Sequence, residues 1–183
     1  MSSFVKTQWC TRQGHQEISN NPYGILAGVK DGECFLANEW GAAICDEMTP
    51  QPGDLIVKGK TGLCGFHSTN LDFLLRQNNI QNVVLAGFLT NCCVESSMRT
   101  AYENGYRVYT LLDCCAATSI EGQQAAYDHT FGMFSVPTDS NEFLQSLQPP
   151  GTGTGGNVGS TYSSTMDGAD TPGVSVENGA ARW

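Results

Sequence analysis

Short apolar runs alternate with helix-like segments through the middle of the chain. The apolar runs are LIVK (55–58), VVLAGF (83–88), YRVYTLLD (106–113) and FSV (134–136). The helix-like segments are NLDFLLRQNN (70–79), VESSMRTAYENG (94–105), TSIEGQQAAYDHTFG (118–132) and NEFLQSL (141–147). Continuous apolar strands separated by helices predict an α/β fold, in which a mostly parallel, Rossmann-like sheet is covered by helices on both faces in three αβα layers.

Local signals mark where some of these helices begin and end. Val94 and Met98 fall at helical spacing, and Gly105 stands where a C-terminal cap belongs. Before the last helix, Asp139 can accept a hydrogen bond from the first turn, and Glu142 at the third helical position completes a capping box.

The two ends of the chain depart from the alternation. Residues 1–54 carry turn signals such as NNP (20–22) and no convincing buried strand, so we expect this part to be irregular and incomplete. Residues 149–183 are rich in Gly, Ser and Thr and have few large apolar groups to offset the entropy of ordering. We therefore predict one domain over 1–148 and a disordered tail over 149–183.

Net charge and hydropathy limit the classes of binding partner and the cellular location to be expected. Lys and Arg number 9 against 18 Asp and Glu, and the formal charge of -9 repels phosphate backbones and anionic lipids. We expect neither nucleic acid nor membrane as a partner. No run approaches the roughly 18 apolar residues of a membrane span, and the segment 1–15 lacks the apolar region of a secretory signal. The sequence predicts a soluble cytoplasmic protein.

The chain contains 8 cysteines. In a reducing compartment these stay as thiols, and most are expected to be small buried hydrophobes. They occur as singles or adjacent pairs, without the spacing of two to four residues that zinc sites favour, and the three histidines lie far apart. We expect no metal and no cofactor.

One cysteine pair stands at a position suited to chemistry. Cys92 and Cys93 lie between the apolar run 83–88 and the helix that begins near Val94. In a doubly wound sheet, ligands bind beyond the carboxyl ends of the strands. A thiolate in the first turn of a helix is stabilised by the helix dipole and the free amide hydrogens there. Either cysteine is a possible nucleophile by position alone.

Two segments resemble the isochorismatase-like cysteine hydrolases. The first is GFLTNCCVESSMRTAYENGYRVYTLLDCCAA (87–117), and the second is VKGKTGLCGFHSTNLDFLL (57–75). The resemblance runs from about Pro50 to Leu147. It implies that Cys93, the cysteine before Val, is the nucleophile, and that Lys60, six residues before a Phe, is the catalytic lysine.

The resemblance also implies how the site works. A thiolate at Cys93 attacks a carbonyl carbon, an amine departs to leave a thioester, and water hydrolyses it. The backbone amides of Leu89 and Cys93 form the oxyanion hole, with a cis peptide bond between Phe88 and Leu89. The residues expected to line the substrate pocket are Phe66, His67, Phe88 and Asn91.

One part of the family pattern has no counterpart. Family members carry an Asp at the end of a first, central strand, where it serves as the general base that relays protons, whereas Asp31 and Asp46 follow no apolar run. We expect the fold to lack that usual first strand, or to use a substitute from SFVKTQW (3–9). Asp113 also ends a strand, but in the family pattern it is mainly structural.

Three hypotheses follow. The first is a cysteine-dependent hydrolase of a C–N bond in a small-molecule amide, inactive if the missing Asp is indispensable. The alternative is a non-catalytic member that keeps the fold for binding or assembly. The third, a thiol-redox protein, is disfavoured because vicinal disulfides are strained and no CxxC occurs. We expect a homo-oligomer.

Overall fold

The computed structural model of the chain describes residues 5–7 and 10–147. Its strands are β1 (Val5–Thr7), β2 (Leu55–Val57), β3 (Asn82–Phe88), β4 (Arg107–Ala116) and β5 (Val136–Thr138). Its helices are α1 (Ile25–Asp31), α2 (Leu71–Gln77), α3 (Glu95–Glu103), α4 (Ile120–Ala126), α5 (Gly132–Phe134) and α6 (Ser140–Ser146). The predicted tail, 149–183, lies outside the described residues.

All the described strand pairs are parallel. β1 pairs with β2, with Val5 opposite Leu55, and β3, β4 and β5 form a second group in that order. Helices connect the successive strands from β2 to β5, as parallel strands require. This architecture confirms the predicted α/β class.

The N-terminal part contains several short elements. Besides β1 it contains α1 and two 3₁₀ turns, Trp40–Ala42 and Asp46–Met48. The prediction of an irregular, incomplete segment over 1–54 stays a prediction. Its elements are three to seven residues long, too short for a clear hydrophobic period. Val5–Thr7, inside the segment expected to supply a substitute strand, pairs only with β2 among the described strands.

The core fills the space between the β3–β4–β5 group and the helices that cover it. Met98 and Ala101 of α3 and Phe131 after α4 are fully buried. They pack in one cluster with Val57 and Val108, so a single core includes strands of both groups. The helical spacing read in 94–105 therefore marks the buried face of α3.

Several element boundaries differ from the prediction. β4 runs to Ala116, beyond the predicted end at residue 113, because its register against β3 shifts between Leu85 and Gly87. Gly87 adopts φ 124, a conformation that favours glycine. The segment 118–132, predicted as one helix, is observed as a continuous helical segment over 120–134, with π-helical hydrogen bonding over Tyr127–Phe131.

The predicted cap of α6 is present in half. Asp139 accepts a hydrogen bond of 2.8 Å from the amide of Asn141. The carboxylate of Glu142 accepts from the Thr138 hydroxyl at 3.3 Å. Within the described parts of the chain, no helix combines the length and the apolar character that a membrane span requires.

Candidate active site

Cys93 lies at the carboxyl end of β3, in the π turn Thr90–Val94 that leads into α3. The thiol is partly buried. Its backbone carbonyl accepts a hydrogen bond of 2.7 Å from the hydroxyl of Ser97, one helical turn further on. The cysteine pair therefore occupies the strand-to-helix junction that the sequence predicts.

Lys60 approaches this thiol from a different part of the chain. Its Nζ lies 4.0 Å from the Sγ of Cys93 and donates a hydrogen bond of 2.7 Å to the carbonyl of Gly62. Only 7% of Lys60 is exposed. Burial lowers the pKa of Lys60, because it penalises the charged ammonium, while the negative charge of nearby thiolates, Cys93 first, opposes this shift.

Cys92 has a different environment from its neighbour. The pKa of Cys92 is raised to about 11, mainly by burial and then by the charge of Cys93 and a hydrogen bond with Cys93. The charge of Lys60 lowers this pKa to a smaller extent. A thiol with this pKa stays protonated at neutral pH and is a poor nucleophile. The contact of 4.0 Å between Lys60 and Cys93, together with the raised pKa of Cys92, therefore favours Cys93 over Cys92 as the candidate nucleophile.

The turn before Cys93 has the backbone form that the resemblance implies. The peptide bond between Phe88 and Leu89 is cis, which confirms that prediction. The Leu89 carbonyl accepts hydrogen bonds from the amides of Cys92 and Val94, at 3.1 and 3.2 Å. These bonds fix the turn around Cys93. The oxyanion hole formed by the Leu89 and Cys93 amides stays a prediction.

The four residues expected to line the pocket differ in solvent exposure. Phe66 is buried in the core, and its ring centroid lies 6.0 Å from that of Tyr106. His67, Phe88 and Asn91 are exposed, Phe88 to 74%. The role of these four residues in a substrate pocket stays a prediction.

Sequence reasoning missed a cavity at the end of β4. Its volume is about 290 Å³, and its lining is Ala117, Thr118, Ser119, Ile120, Gln123, Gln124 and Tyr127. Gln123 is held in place, since it accepts from the Ala117 amide at 3.0 Å and donates to the Tyr127 hydroxyl at 2.8 Å. The position of these residues directly after a strand was the available signal.

Asn91 lies beside the first turn of α4. A Cβ built on Gly122 would be 3.1 Å from the side-chain nitrogen of Asn91 and 3.1 Å from the Ser119 hydroxyl. Gly122 therefore allows the β3–α3 turn and the β4–α4 turn to approach each other.

The carboxylates considered as bases lie in structural or exposed positions. Asp113 accepts from the Ser140 amide at 2.9 Å and from the Ser140 hydroxyl at 2.5 Å, so it joins the end of β4 to α6. These bonds, the hydroxyl first, lower the pKa of Asp113. Asp31 ends α1, Asp46 begins a 3₁₀ turn, and both are exposed.

Among the residues that the structure describes, no group of three or more His, Cys, Asp or Glu side chains is arranged to hold a metal ion. All eight cysteines are free thiols. The reactive groups at this site are therefore the Cys93 thiol and the buried ammonium of Lys60.

Comparison with known proteins assigns the family. The family model of the isochorismatase domain matches residues 3–142. The chain therefore belongs to the isochorismatase family. The match begins at residue 3, well before the start near Pro50 that the sequence resemblance gave, so the N-terminal part belongs to the same domain.

Curated relatives include two ureidoacrylate amidohydrolases, both called RutB. The protein of Agrobacterium fabrum is 47% identical over 75 residues, 41% of this chain and 32% of that protein. The protein of Pseudomonas syringae pv. syringae is 33% identical over 122 residues, 66% of this chain and 49% of that protein. The chain thus spans about a third to a half of these relatives.

Solved structures show the same fold. An isochorismatase-like hydrolase from Alkaliphilus metalliredigens has a TM-score of 0.68 at 27% identity, covering 80% of this chain and 74% of that chain. An N-carbamoylsarcosine amidase from Thermoplasma acidophilum has a TM-score of 0.60 at 25% identity, covering 75% and 72%.

Proposed function

We propose that this protein is a cysteine-dependent hydrolase that cleaves a C–N bond in a small amide. The observation that carries the proposal is the buried ammonium of Lys60, 4.0 Å from the Cys93 thiol, at the carboxyl end of a parallel strand. Membership of the isochorismatase family, whose matched relatives include amide hydrolases by name, supports it.

The first half of the reaction forms a thioester. The Cys93 thiolate attacks the carbonyl carbon, the C–N bond breaks, and the departing amine takes up a proton. The Lys60 ammonium stabilises the thiolate by its charge. Because burial lowers the pKa of Lys60, this ammonium gives up a proton more readily than a solvated lysine, and it is close enough to supply the amine.

The second half regenerates the enzyme. Water attacks the thioester carbon, the C–S bond breaks, and a carboxylic acid and the Cys93 thiolate result. A Lys60 that has become neutral in the first half accepts a proton from that water. A positioned acid–base group of this kind contributes about a hundredfold to ten-thousandfold in rate. In this scheme Lys60 takes over the proton transfers that the resemblance assigns to an Asp.

The substrates to test first are ureido and carbamoyl compounds. Two of the proteins that this chain resembles are named for ureidoacrylate and for N-carbamoylsarcosine. Both names describe a small molecule with an amide-type C–N bond. The exposed pocket residues His67, Phe88 and Asn91 are proposed to contact such a substrate.

Ammonia release from these two compounds and from a simple primary amide tests the proposal. We expect release by the wild type, none by Cys93→Ser, and little change in Cys92→Ser, the matched control on the adjacent position. Rapid acid quenching and mass spectrometry should show the acyl group on the peptide that contains Cys93. Release that survives Cys93→Ser would contradict the proposal.

Lysine variants separate the two roles given to Lys60. Lys60→Arg keeps a positive charge but gives up its proton far less readily, so we expect alkylation of Cys93 to persist while turnover fails. Lys60→Met should slow alkylation and abolish turnover. Turnover that is unchanged in Lys60→Arg would show that another group moves the protons, and Asp31→Asn, Asp46→Asn and Asp113→Asn would then locate it.

The second candidate is a non-catalytic protein that binds through the same fold. Two carboxylates that could act as bases are instead bonded to other side chains: Asp54 forms an ion pair with Lys6 at 2.7 Å, and Asp113 accepts hydrogen bonds from Ser140. This favours the second candidate. Fast alkylation at Cys93 with no release of ammonia from any of the three compounds would support this candidate against the hydrolase.

A homo-oligomer in a reducing compartment is also proposed. Several large apolar side chains on the strands are exposed, namely Ile56, Val84, Phe88 and Val136. Such residues are often covered by a second subunit. The eight free thiols suit a reducing environment. Sedimentation equilibrium measures the oligomeric state, and a monomer at micromolar concentration would contradict the proposed homo-oligomer.

A further inference from the structure

Ser97 connects the two parts of the chain that carry Lys60 and Cys93. Its hydroxyl donates to the Cys93 carbonyl at 2.7 Å and accepts from the amide of Gly65 at 2.8 Å. One serine hydroxyl thus bonds the helix that carries the nucleophile and the loop that carries the lysine. If the Ser97 hydroxyl were removed, the Gly65 amide would lose its hydrogen-bond partner. Because Gly65 is buried, water would not readily replace that partner.

The loop and α3 touch at a second point one turn along the helix. The Thr100 hydroxyl lies 3.3 Å from the Cys64 thiol, in the residue before Gly65. Ser97 and Thr100 are three positions apart and so share one face of α3. A Cβ built on Gly65 would lie 3.4 Å from the Ser97 hydroxyl, so the loop packs directly on this face.

Lys60 depends on the position of this loop. Its Nζ donates to the carbonyl of Gly62, and its own carbonyl accepts from the Cys10 amide at 3.0 Å. The gap of 4.0 Å between Nζ and the Cys93 sulfur is therefore set by how closely the loop lies against α3. Charge interactions at this range weaken as the separation grows.

We propose that Ser97 is a positioning residue that keeps the Lys60 ammonium beside the Cys93 thiol. Ser97 acts through Lys60 and does not itself take part in bond making. The inference rests on the proposed function only in that Cys93 and Lys60 are its reacting groups, and its test needs no amide turnover.

A double-mutant cycle read by thiol alkylation tests this role. The rate of Cys93 labelling by iodoacetamide is measured from acid to alkaline pH, with peptide mapping, in wild type, Ser97→Ala, Lys60→Met and the double variant. We expect Ser97→Ala to move the midpoint of the rate curve to higher pH and to slow labelling at neutral pH by about threefold to tenfold. In the Lys60→Met background, Ser97→Ala should cause no further shift.

Two other variants act as matched controls. Ser97→Thr keeps the hydroxyl and should restore the wild-type curve to within about twofold, which a purely volume-related role would not predict. Ser96→Ala makes the same substitution one position earlier on the helix and should leave the curve unchanged.

Two results would overturn the proposal. One is an equal shift from Ser97→Ala with and without Lys60, which would mean that Ser97 acts on the helix turn alone. The other is an unshifted curve in Ser97→Ala. If Ser97→Ala does not fold by circular dichroism, Ser97→Val replaces it, because it is nearly isosteric with Ser97→Thr but lacks the hydroxyl. An unshifted curve in Ser97→Val relative to Ser97→Thr would equally overturn the proposal. A chain that hydrolyses no amide still gives a decisive result, because alkylation reports on the thiol alone.

Discussion

The Nζ of Lys60 lies 4.0 Å from the Sγ of Cys93, although the two residues are 33 positions apart in the sequence. The lysine is almost fully buried, so the charge that it places beside the sulfur is poorly screened by water and salt. This pair forms the proposed reactive centre, and the Ser97 hydroxyl bonds to both of the segments that carry it.

The first prediction concerns thiol selectivity. Because its pKa is raised to about 11, Cys92 should react slowly at neutral pH, and Cys93 should take most of the label from a limiting amount of iodoacetamide. Peptide mapping of Cys93→Ser and Cys92→Ser provides the matched comparison. Preferential labelling of Cys92 or of the exposed Cys114 in the wild type would be inconsistent with this assignment.

The second prediction concerns the cost of burying Lys60. Its pKa is lowered from the ordinary 10.5, so below that pH the unfolded chain binds more protons than the folded one. Stability should therefore rise with pH in the window just below 10.5. Lys60→Met should raise the free energy of unfolding at neutral pH and remove this slope, while slowing alkylation of Cys93.

Urea unfolding of wild type and Lys60→Met across neutral and alkaline pH measures both effects. Lys58→Met is the matched control, since Lys58 is exposed on the same segment. A lower free energy of unfolding in Lys60→Met at neutral pH would mean that its charge interactions outweigh the desolvation cost.

The third prediction concerns a buried tyrosine. The Tyr106 hydroxyl donates to Asp72 at 2.8 Å, and Tyr106→Phe should cost about 1.5 to 3 kcal/mol, the range for hydrogen bonds to charged groups. Burial, then Asp72, raises the pKa of Tyr106 from 10.0 to about 12. This contribution is complete below pH 10 and is lost as the pH rises through 12.

Denaturant unfolding near neutral pH and at pH 11 tests whether the stability difference between wild type and Tyr106→Phe decreases as the pH rises. Tyr102→Phe is the control, because Tyr102 is 46% exposed. If Tyr106→Phe were no less stable than wild type near neutral pH, the bond to Asp72 would contribute nothing to folding.

The fourth prediction concerns the core between α3 and the β3–β4–β5 group. Met98 has no exposed surface, so Met98→Ala should leave a cavity and cost about 2 to 5 kcal/mol. Phe73→Ala, on a side chain that is 63% exposed, should stay within about 0.5 kcal/mol of wild type. Thermal and urea unfolding compare the two, and equal losses would show that the assignment of the core is wrong.

The fifth prediction concerns Asp113. Its bonds to Ser140 lower its pKa below the ordinary 3.8, so its stabilising effect is present above that pH and is lost as the pH falls through the lowered value. Asp113→Asn should reduce stability at neutral pH and leave alkylation of Cys93 unchanged. Ser140→Ala should have a similar effect on unfolding. Slower alkylation in Asp113→Asn would point to a role at the thiol.

Much of the fold from β2 onward was predictable from the sequence, because most elements there are uninterrupted apolar runs or show a helical period. The predicted strand 134–136 shares only Val136 with β5. β3 and α3 agree with their predicted segments to within one or two residues. The extension of β4 was not predictable, because it results from a shift of register against β3 at Gly87. Such a shift depends on the partner strand and leaves no mark on either strand alone.

The N-terminal part shows the same limit. Val5–Thr7 is a strand only because Leu55–Val57 lies beside it, and three residues carry too little pattern to be recognised. α1 begins after Gly24 without a side-chain cap, so the usual start signal is missing.

At the site, the sequence by itself determined the residue types and their order. A thiol near the start of a helix that follows an apolar run is a local feature, and the lysine motif and the cysteine motif can both be read along the chain. The tertiary structure alone decided which groups meet. It brought the lysine to Cys93, raised the pKa of Cys92 to about 11 by burial and neighbouring charge, and placed Phe66 in the core. Distance and desolvation arise only when separate segments pack together, and no local pattern contains them.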